Sequence, residues 1–351
     1  MKKLMVNEVR SMRMIAGMMV VMAGIGAGAW AQAPAGPVMS PATADAAQVG
    51  QAPTGNAAAP VDPFPPVNLK NFTASSPTTA EVNAFLKQAW GFDDNRIWSI
   101  AAIVKTQAPG VVRVVVFATD KAHPEKVSRS EFFVTPDGKH AIAGGVIDFG
   151  PTPFADRRAL LRQEVDGPAE GAASKDLLLV LFADFLNGRS KDAQDVANNL
   201  VKDIPQARLV VEYLPADGSP YAMLAAEEGV CVRKAKGDAA FFTYGQEIYN
   251  RQKGLTATTL QEALDAAVVA AGADAKSVAA CAATPETKAV VEASIALAKK
   301  TGVDLAPILV VNGRVLPPVD VPYDTLKRIV AYQAQLDGIG VKVQPTLTNL
   351  K

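Results

Sequence analysis

The hydrophobic and polar positions in the first half of the chain indicate a short helix followed by several strands. A helical pattern opens at Ser76-Pro77-Thr78-Thr79 and continues to Trp90. Three strand-like runs then lie at residues 97–104, 111–118 and 127–134. Pro136-Asp137-Gly138 follows them and is typical of the turn in a hairpin. The pattern predicts a small α+β domain over residues 68–170, in which one helix packs on an antiparallel sheet.

Beyond residue 170, strands alternate with helices. Residues 177–182 are apolar at every position, which is typical of a strand buried on both faces. The next elements are predicted as a helix at 191–202, a strand at 208–213, several helices over about 221–301, strands at 308–311 and 314–316, and a last helix from 323. Two parallel strands, a helical insertion, a hairpin and a helix describe an α/β domain over residues 171–337, namely a thioredoxin fold with an inserted helical domain. Residues 338–351 are assigned to a C-terminal tail.

The N-terminal residues have the pattern of a secretory signal peptide. Four basic side chains precede an apolar stretch at residues 14–29, which ends in a small-residue motif formed by Ala29 and Ala31. We therefore expect residues 1–31 to be a signal peptide cleaved after Ala31, in a periplasmic or otherwise exported protein. The alternative is a retained membrane anchor, for which the stretch is short and rich in glycine. Residues 32–67 are Ala/Pro-rich and almost uncharged, which predicts a flexible linker.

The charge and the ligand-forming side chains exclude several classes of function. The chain has 35 basic and 35 acidic side chains, and loss of the signal peptide leaves 31 and 34, a net charge of about −3. This balance predicts no nucleic-acid partner. The two histidines, His123 and His140, lie far from both cysteines in the sequence. We therefore expect no metal site and no cofactor.

Four stretches of the second domain resemble the DsbA-like thiol-disulfide oxidoreductases of the bacterial periplasm. They are "LLLVLFADF", "ARLVVEYLP", "AAEEGVCVRKAKGDAAFFTYGQEIY" and "LAPILVVNGRVLPP". The resemblance implies that Ala306-Pro307 is the cis-proline loop, where members of the family bind an extended segment of their substrate by strand-like hydrogen bonds. Family members carry Cys-x-x-Cys directly after the first of these strands. In this chain Asn187, Gly188, Arg189 and Ser190 occupy those four positions.

The replacement removes the chemistry of the family. Disulfide exchange requires a thiolate and a second thiol that resolves the mixed disulfide. The amide of Asn187 does not ionise, and the hydroxyl of Ser190 is too basic to react without a general base. We interpret Asn187-Gly188 as a turn and Ser190 as the N-cap of the following helix. The sequence predicts no catalytic residue here.

Cys231 and Cys281 are the two cysteines of the chain, and both lie in the helical insertion. An even number of cysteines in an exported protein favours a disulfide, and the resemblance implies a structural pair at these positions. Closing this loop would stabilise the fold by roughly 3–4 kcal/mol. Two free buried thiols are the alternative. A catalytic dithiol is disfavoured because neither cysteine opens a helix after a strand.

The stretch "FFVTPDGKHAIAGGVIDFG" resembles the hairpin in the N-terminal domain of the periplasmic disulfide isomerases. Those proteins dimerise through that domain, so the resemblance implies a homodimer. The same strands are equally compatible with a monomeric domain.

The sequence is compatible with three functions. The first is a redox-inactive, chaperone-like module that binds extended segments of exported proteins at the Pro307 loop. The second is a thiol-disulfide oxidoreductase or isomerase that uses Cys231 and Cys281. The third is a purely structural scaffold. Loss of both motif cysteines favours the first over the second.

Overall fold

The computed structural model describes residues 62–216 and 218–343. The predicted signal peptide, most of the 32–67 linker and part of the 338–351 tail lie outside the described residues. No helix within the described ranges is long and apolar enough to cross a membrane. The described chain divides into two compact units, one formed by residues 62–84 and 94–150 and the other by residues 85–93 and 151–343.

The first unit contains an antiparallel sheet with the strand order β1-β2-β3-β4-β5. Its strands are β1 (Arg96–Lys105), β2 (Val112–Asp120), β3 (His123–Val134), β4 (His140–Ile142) and β5 (Val146–Asp148). The predicted turn joins β3 to β4, where Gly138 has a φ of 66° and donates its N–H to the Thr135 carbonyl at 3.0 Å. This left-handed conformation is the reason for a glycine at that position.

A helix precedes this sheet in the chain. Helix α1 (Thr79–Trp90) begins with a capping box. Thr78 Oγ1 accepts from the Glu81 N–H at 3.2 Å, and Glu81 Oε2 accepts from the Thr78 N–H at 2.7 Å. The predicted α+β character of this region is confirmed.

The second unit has a five-stranded sheet with the order β10-β9-β7-β8-β6. Its strands are β6 (Ala169–Gly171), β7 (Leu177–Ala183), β8 (Ala207–Tyr213), β9 (Ile308–Val311) and β10 (Arg314–Leu316). Strands β7 and β8 are parallel, whereas the other pairs are antiparallel. All seven residues of β7 are buried, as the apolar run predicted.

The helices of this unit are α2 (Ala155–Glu164), α3 (Gly188–Asp203), α4 (Pro220–Lys236), α5 (Asp238–Arg251), α6 (Leu260–Ala270), α7 (Ala275–Ala282), α8 (Pro285–Lys300) and α9 (Tyr323–Leu336). Helices α4 to α8 are inserted between β8 and β9. The predicted thioredoxin fold with an inserted helical domain is confirmed.

The division between the units differs from the predicted boundary at residue 170. Helix α2 and strand β6 belong to the second unit: Leu161 packs in the same buried cluster as Val180 and Val210, and Ala169 pairs with Val210 on β8. The sequence "ADRRALLRQE" of α2 is too polar to show a strong apolar face, and β6 has only three residues. Neither element has the hydrophobic periodicity that would assign it to the second sheet.

The end of α1 also belongs to the second unit. The guanidinium of Arg314 is buried, donates to the carbonyls of Gln88 and of Ala89, the latter at 3.2 Å, and lies 4.5 Å from the ring centre of Phe154. These carbonyls are among the four that a helix end leaves without a backbone partner, and a cation there is favoured by the helix dipole. Burial lowers the pKa of Arg314 to about 10, so it stays charged at neutral pH.

A disulfide joins α4 to α7 within the insertion. Cys231 and Cys281 are bonded, with their Cα atoms 5.9 Å apart and 50 residues of sequence separation. The hydroxyl of Thr287 lies 3.5 Å from the Cys231 sulfur and 3.6 Å from the Cys281 sulfur. Closing a loop of this length stabilises the folded chain by about 4 kcal/mol in the chain-entropy model.

The insertion also buries a carboxyl group, that of Glu228 on α4. Its side chain is 1% exposed, and its Oε1 accepts from Gln261 Nε2 at 3.3 Å. Burial is the main cause of a pKa raised to about 7, and the charge of Asp265 acts in the same direction. The folded state therefore binds a proton on this group at pH values where the unfolded chain has released it.

We predict that Glu228 makes the free energy of unfolding fall as the pH rises. Because the folded pKa lies above the unfolded value of 4.5, this contribution is present below pH 4.5 and is lost as the pH passes about 7. Glu228→Gln should therefore match the wild type near pH 4.5 and exceed it by roughly 2–3 kcal/mol above pH 7. Urea unfolding at several pH values measures this, with the exposed Glu262→Gln on α6 as control. A pH slope unaffected by Glu228→Gln would contradict the prediction.

Candidate functional site

The candidate site begins where β7 ends and α3 begins. Asn187 is the N-cap of α3, and its Oδ1 accepts from the Arg189 N–H at 2.9 Å. The prediction that Ser190 is the N-cap and that the helix starts near Lys191 is wrong, since α3 starts at Gly188. Asn187 provides an earlier side-chain acceptor for the first free N–H groups, so the helix extends back to it.

Ser190 lies in the first turn of α3 and is fully buried. Its hydroxyl accepts from the Asp184 N–H at 3.2 Å. A buried hydroxyl with a structural partner is not accessible to a substrate. Gly188, in contrast, is exposed, and no atom lies within 4 Å of the position that a Cβ would occupy there.

The start of α3 meets the predicted cis-proline loop. Asn187 Nδ2 donates to the carbonyl of Ala306 at 3.0 Å. The Ala306–Pro307 peptide bond is cis. The N–H of Ala306 has no acceptor among the described residues, and Leu305 beside it is 46% exposed. The structure thus brings Asn187 and Ala306-Pro307 together.

Two residues distant in sequence hold this junction in place. Gln252, directly after α5, donates from Nε2 to the carbonyls of Phe185 at 2.6 Å and of Asn187 at 3.1 Å. Arg189 forms an ion pair with Asp320. No local pattern in the sequence indicated either contact, because both join segments more than 60 residues apart.

Asp184 is the buried carboxyl at the site, and sequence reasoning did not single it out. It is 5% exposed, with Oδ1 accepting from the Leu186 N–H at 2.8 Å and Oδ2 from the Ala216 N–H at 3.1 Å. Burial raises its pKa, although both hydrogen bonds oppose that shift. An acidic residue directly after an apolar strand was the available signal. Its two oxygens fix the loops that flank the site.

The junction offers hydrogen-bonding groups and apolar surface, but no thiol. Both cysteines of the chain are bonded to each other in the insertion. His123 and His140 lie beside Glu125 and Asp137 in the first unit. Within the described residues, no group of three or more His, Cys, Asp or Glu side chains could hold a metal ion.

The comparison with protein families decides the class of the second unit. Residues 190–332 match the family model described as Thioredoxin. The chain contains a thioredoxin-like domain. The matched region of this domain begins at Ser190 and covers most of α3, the insertion and the β9–β10 hairpin.

Solved structures similar to about half of this chain have low sequence identity to it. A periplasmic thioredoxin-like protein from Salmonella enterica serovar Typhimurium is 21% identical, with 51% of this chain and 96% of that chain covered and a TM-score of 0.42. The catalytic domain of Proteus mirabilis ScsC is 21% identical, with 52% and 97% covered and a TM-score of 0.43. A thioredoxin-like oxidoreductase from Silicibacter pomeroyi DSS-3 is 23% identical, with 51% and 98% covered and a TM-score of 0.43. No curated protein sequence matches the chain.

We predict that Asn187 stabilises the thioredoxin-like domain through both ends of its amide. Asn187→Ala removes the helix cap and the bond to Ala306, and should lower the free energy of unfolding by about 1–2 kcal/mol. Asn187→Asp keeps an acceptor at the helix N-terminus but has no donor for the Ala306 carbonyl. Its free energy of unfolding should therefore fall by less than that of Asn187→Ala. Urea unfolding measures both values. Asn199→Ala, an exposed change in the same helix, is the control, and equal stability of the two alanine variants would refute the assignment.

Proposed function

We propose that this chain is an exported thioredoxin-like protein that has no thiol-disulfide activity and binds extended segments of other exported proteins. The observation that carries the proposal is the sequence Asn187-Gly188-Arg189-Ser190 at the strand–helix junction. The family resemblance assigns the redox cysteines to these positions, and the chain has neither.

The absence of redox activity follows from the requirements of disulfide exchange. A reactive cysteine needs an accessible sulfur and an environment that favours the thiolate. Cys231 is 2% exposed and lies against Thr287 on α8. Cys281 is only partly buried, but exchange at the Cys231 sulfur would require the helical insertion to open. This requirement disfavours the alternative enzyme function.

The groups beside Ala306 support a binding role. An extended peptide forms hydrogen bonds with unpaired backbone groups of the protein that binds it, and its side chains make apolar contacts there. The N–H of Ala306 has no acceptor within the described part of the chain, and Leu305 presents an exposed apolar side chain next to it. Export follows from the predicted signal peptide, and a homodimer through the first unit stays a prediction.

Binding can be tested with a reduced and carboxamidomethylated α-lactalbumin, an unfolded chain that has no free thiol. We predict that the wild type binds this probe and that Leu305→Asp weakens binding about tenfold or more, because the buried surface of one leucine contributes about 1.5–3 kcal/mol. Titration calorimetry or fluorescence anisotropy gives the affinity. Val269→Asp on α6 is the matched control, since Val269 is a 64% exposed apolar residue in the insertion. Failure of the wild type to bind, or equal losses in the two variants, would contradict the binding function.

A further inference from the structure

We propose that Asn187 is a site of spontaneous deamidation, and that this modification removes the hydrogen bond between the start of α3 and the Ala306 loop. The inference does not depend on the proposed binding function. It depends on the Asn187-Gly188 pair, the exposure of Gly188, and the hydrogen bonds of the Asn187 amide.

The chemistry is internal to an asparagine and the residue after it. Hydroxide removes the backbone proton of Gly188, and its nitrogen forms a bond to Cγ of Asn187. The Cγ–Nδ2 bond breaks and ammonia leaves, which closes a five-membered succinimide ring. Water then opens the ring at either carbonyl and gives aspartate or isoaspartate. One water is consumed and one ammonia is released, so no oxidant or reductant is needed.

The residue that supplies the attacking nitrogen lies at the surface of the domain. Gly188 is exposed, and no atom lies within 4 Å of the position of a Cβ. Its N–H lies in the first turn of α3, where a helix has no internal acceptor, and it donates to no group among the described residues. A glycine also has no side chain of its own that would hinder the approach of the nitrogen to Cγ.

The surroundings of the Asn187 amide favour the attack. Its Oδ1 already accepts from the Arg189 N–H at 2.9 Å. When nitrogen adds to Cγ, negative charge develops on this oxygen, and a hydrogen-bond donor in place stabilises that charge. The positive end of the α3 dipole acts in the same direction.

The second Asn-Gly pair of the chain, Asn312-Gly313, is an internal control. Asn312 is 1% exposed, and its Nδ2 donates to the carbonyl of Asp176 at 2.8 Å and to Asp337 Oδ2 at 2.7 Å. A Cβ on Gly313 would lie 2.2 Å from the carbonyl oxygen of Phe154. Water and base do not reach this turn between β9 and β10, so the fold protects it.

Deamidation changes the contact that Asn187 makes with the loop. A carboxylate has no N–H, so the bond to the Ala306 carbonyl is lost, and two oxygens then face each other. The aspartate product still caps α3, whereas the isoaspartate product lengthens the backbone by one methylene and displaces the cap. Both products loosen the junction between α3 and the 305–307 loop.

The test compares the two asparagines in the same molecule. The purified mature protein is incubated in mildly alkaline buffer, native in one sample and unfolded in urea in another, and peptides with Asn187 and Asn312 are followed by mass spectrometry. Both asparagines should react in urea. In the native protein, Asn187 should react at least about tenfold faster than Asn312, because Gly188 is exposed whereas Asn312 and Gly313 are both buried.

Gly188→Ala is the matched variant, because its added Cβ would face open space and Gly188 does not have a positive φ. It should slow deamidation of Asn187 by about one to two orders of magnitude, and a thermal melt establishes that it is folded. Equal protection of Asn187 and Asn312 in the native wild type would overturn the proposal. So would an undiminished rate in folded Gly188→Ala. If the variant does not fold, the native ratio of the two sites still decides the question.

Discussion

The position of strand β7 determines the geometry of the whole site. Each of its seven residues is buried, with β8 on one side and β9 on the other. Its register places Phe182 opposite Ile308 and Ala183 opposite Tyr213. The chain that leaves β7 at Asp184 must therefore pass beside Pro307, which directly precedes Ile308. A strand covered on both faces resists a shift in register, because every displaced side chain would lose its apolar contacts.

Hydrogen bonds maintain the junction that this register creates. The amide of Asn187 carries both an acceptor and a donor, so one side chain caps α3 and binds the Ala306 carbonyl. Asp184 holds the backbone on both sides, through Leu186 and Ala216. The buried hydroxyl of Ser190 accepts from Asp184. These contacts explain how the strand–helix geometry is stable without sulfur at this position.

Local sequence patterns predicted the elements that are stabilised by contacts within a short segment or by burial of an apolar run. The run at 177–182 identified β7, and the strands predicted at 308–311 and 314–316 are β9 and β10. Helix α2 and strand β6 were not predicted, and the domain boundary was placed too late at residue 170, because a polar helix and a three-residue strand are positioned by tertiary contacts. The start of α3 was placed three residues too late, because Asn187 and Ser190 are both good caps and only the folded chain distinguishes them. The Gln252 and Asp320 contacts required the three-dimensional structure.

We propose that the thioredoxin-like frame is intact while its redox chemistry is absent. The most direct measurement is insulin reduction by the wild type and by the double variant Asn187→Cys, Ser190→Cys. We predict no turnover above buffer for the wild type. The double variant should show weak but measurable turnover, because the first introduced sulfur lies at the N-terminus of α3, where a thiolate is favoured. Wild-type turnover that disappears on Cys231→Ser would show that the chain has redox activity through its own disulfide, and a folded but inert double variant would show that the frame is not that of an active site.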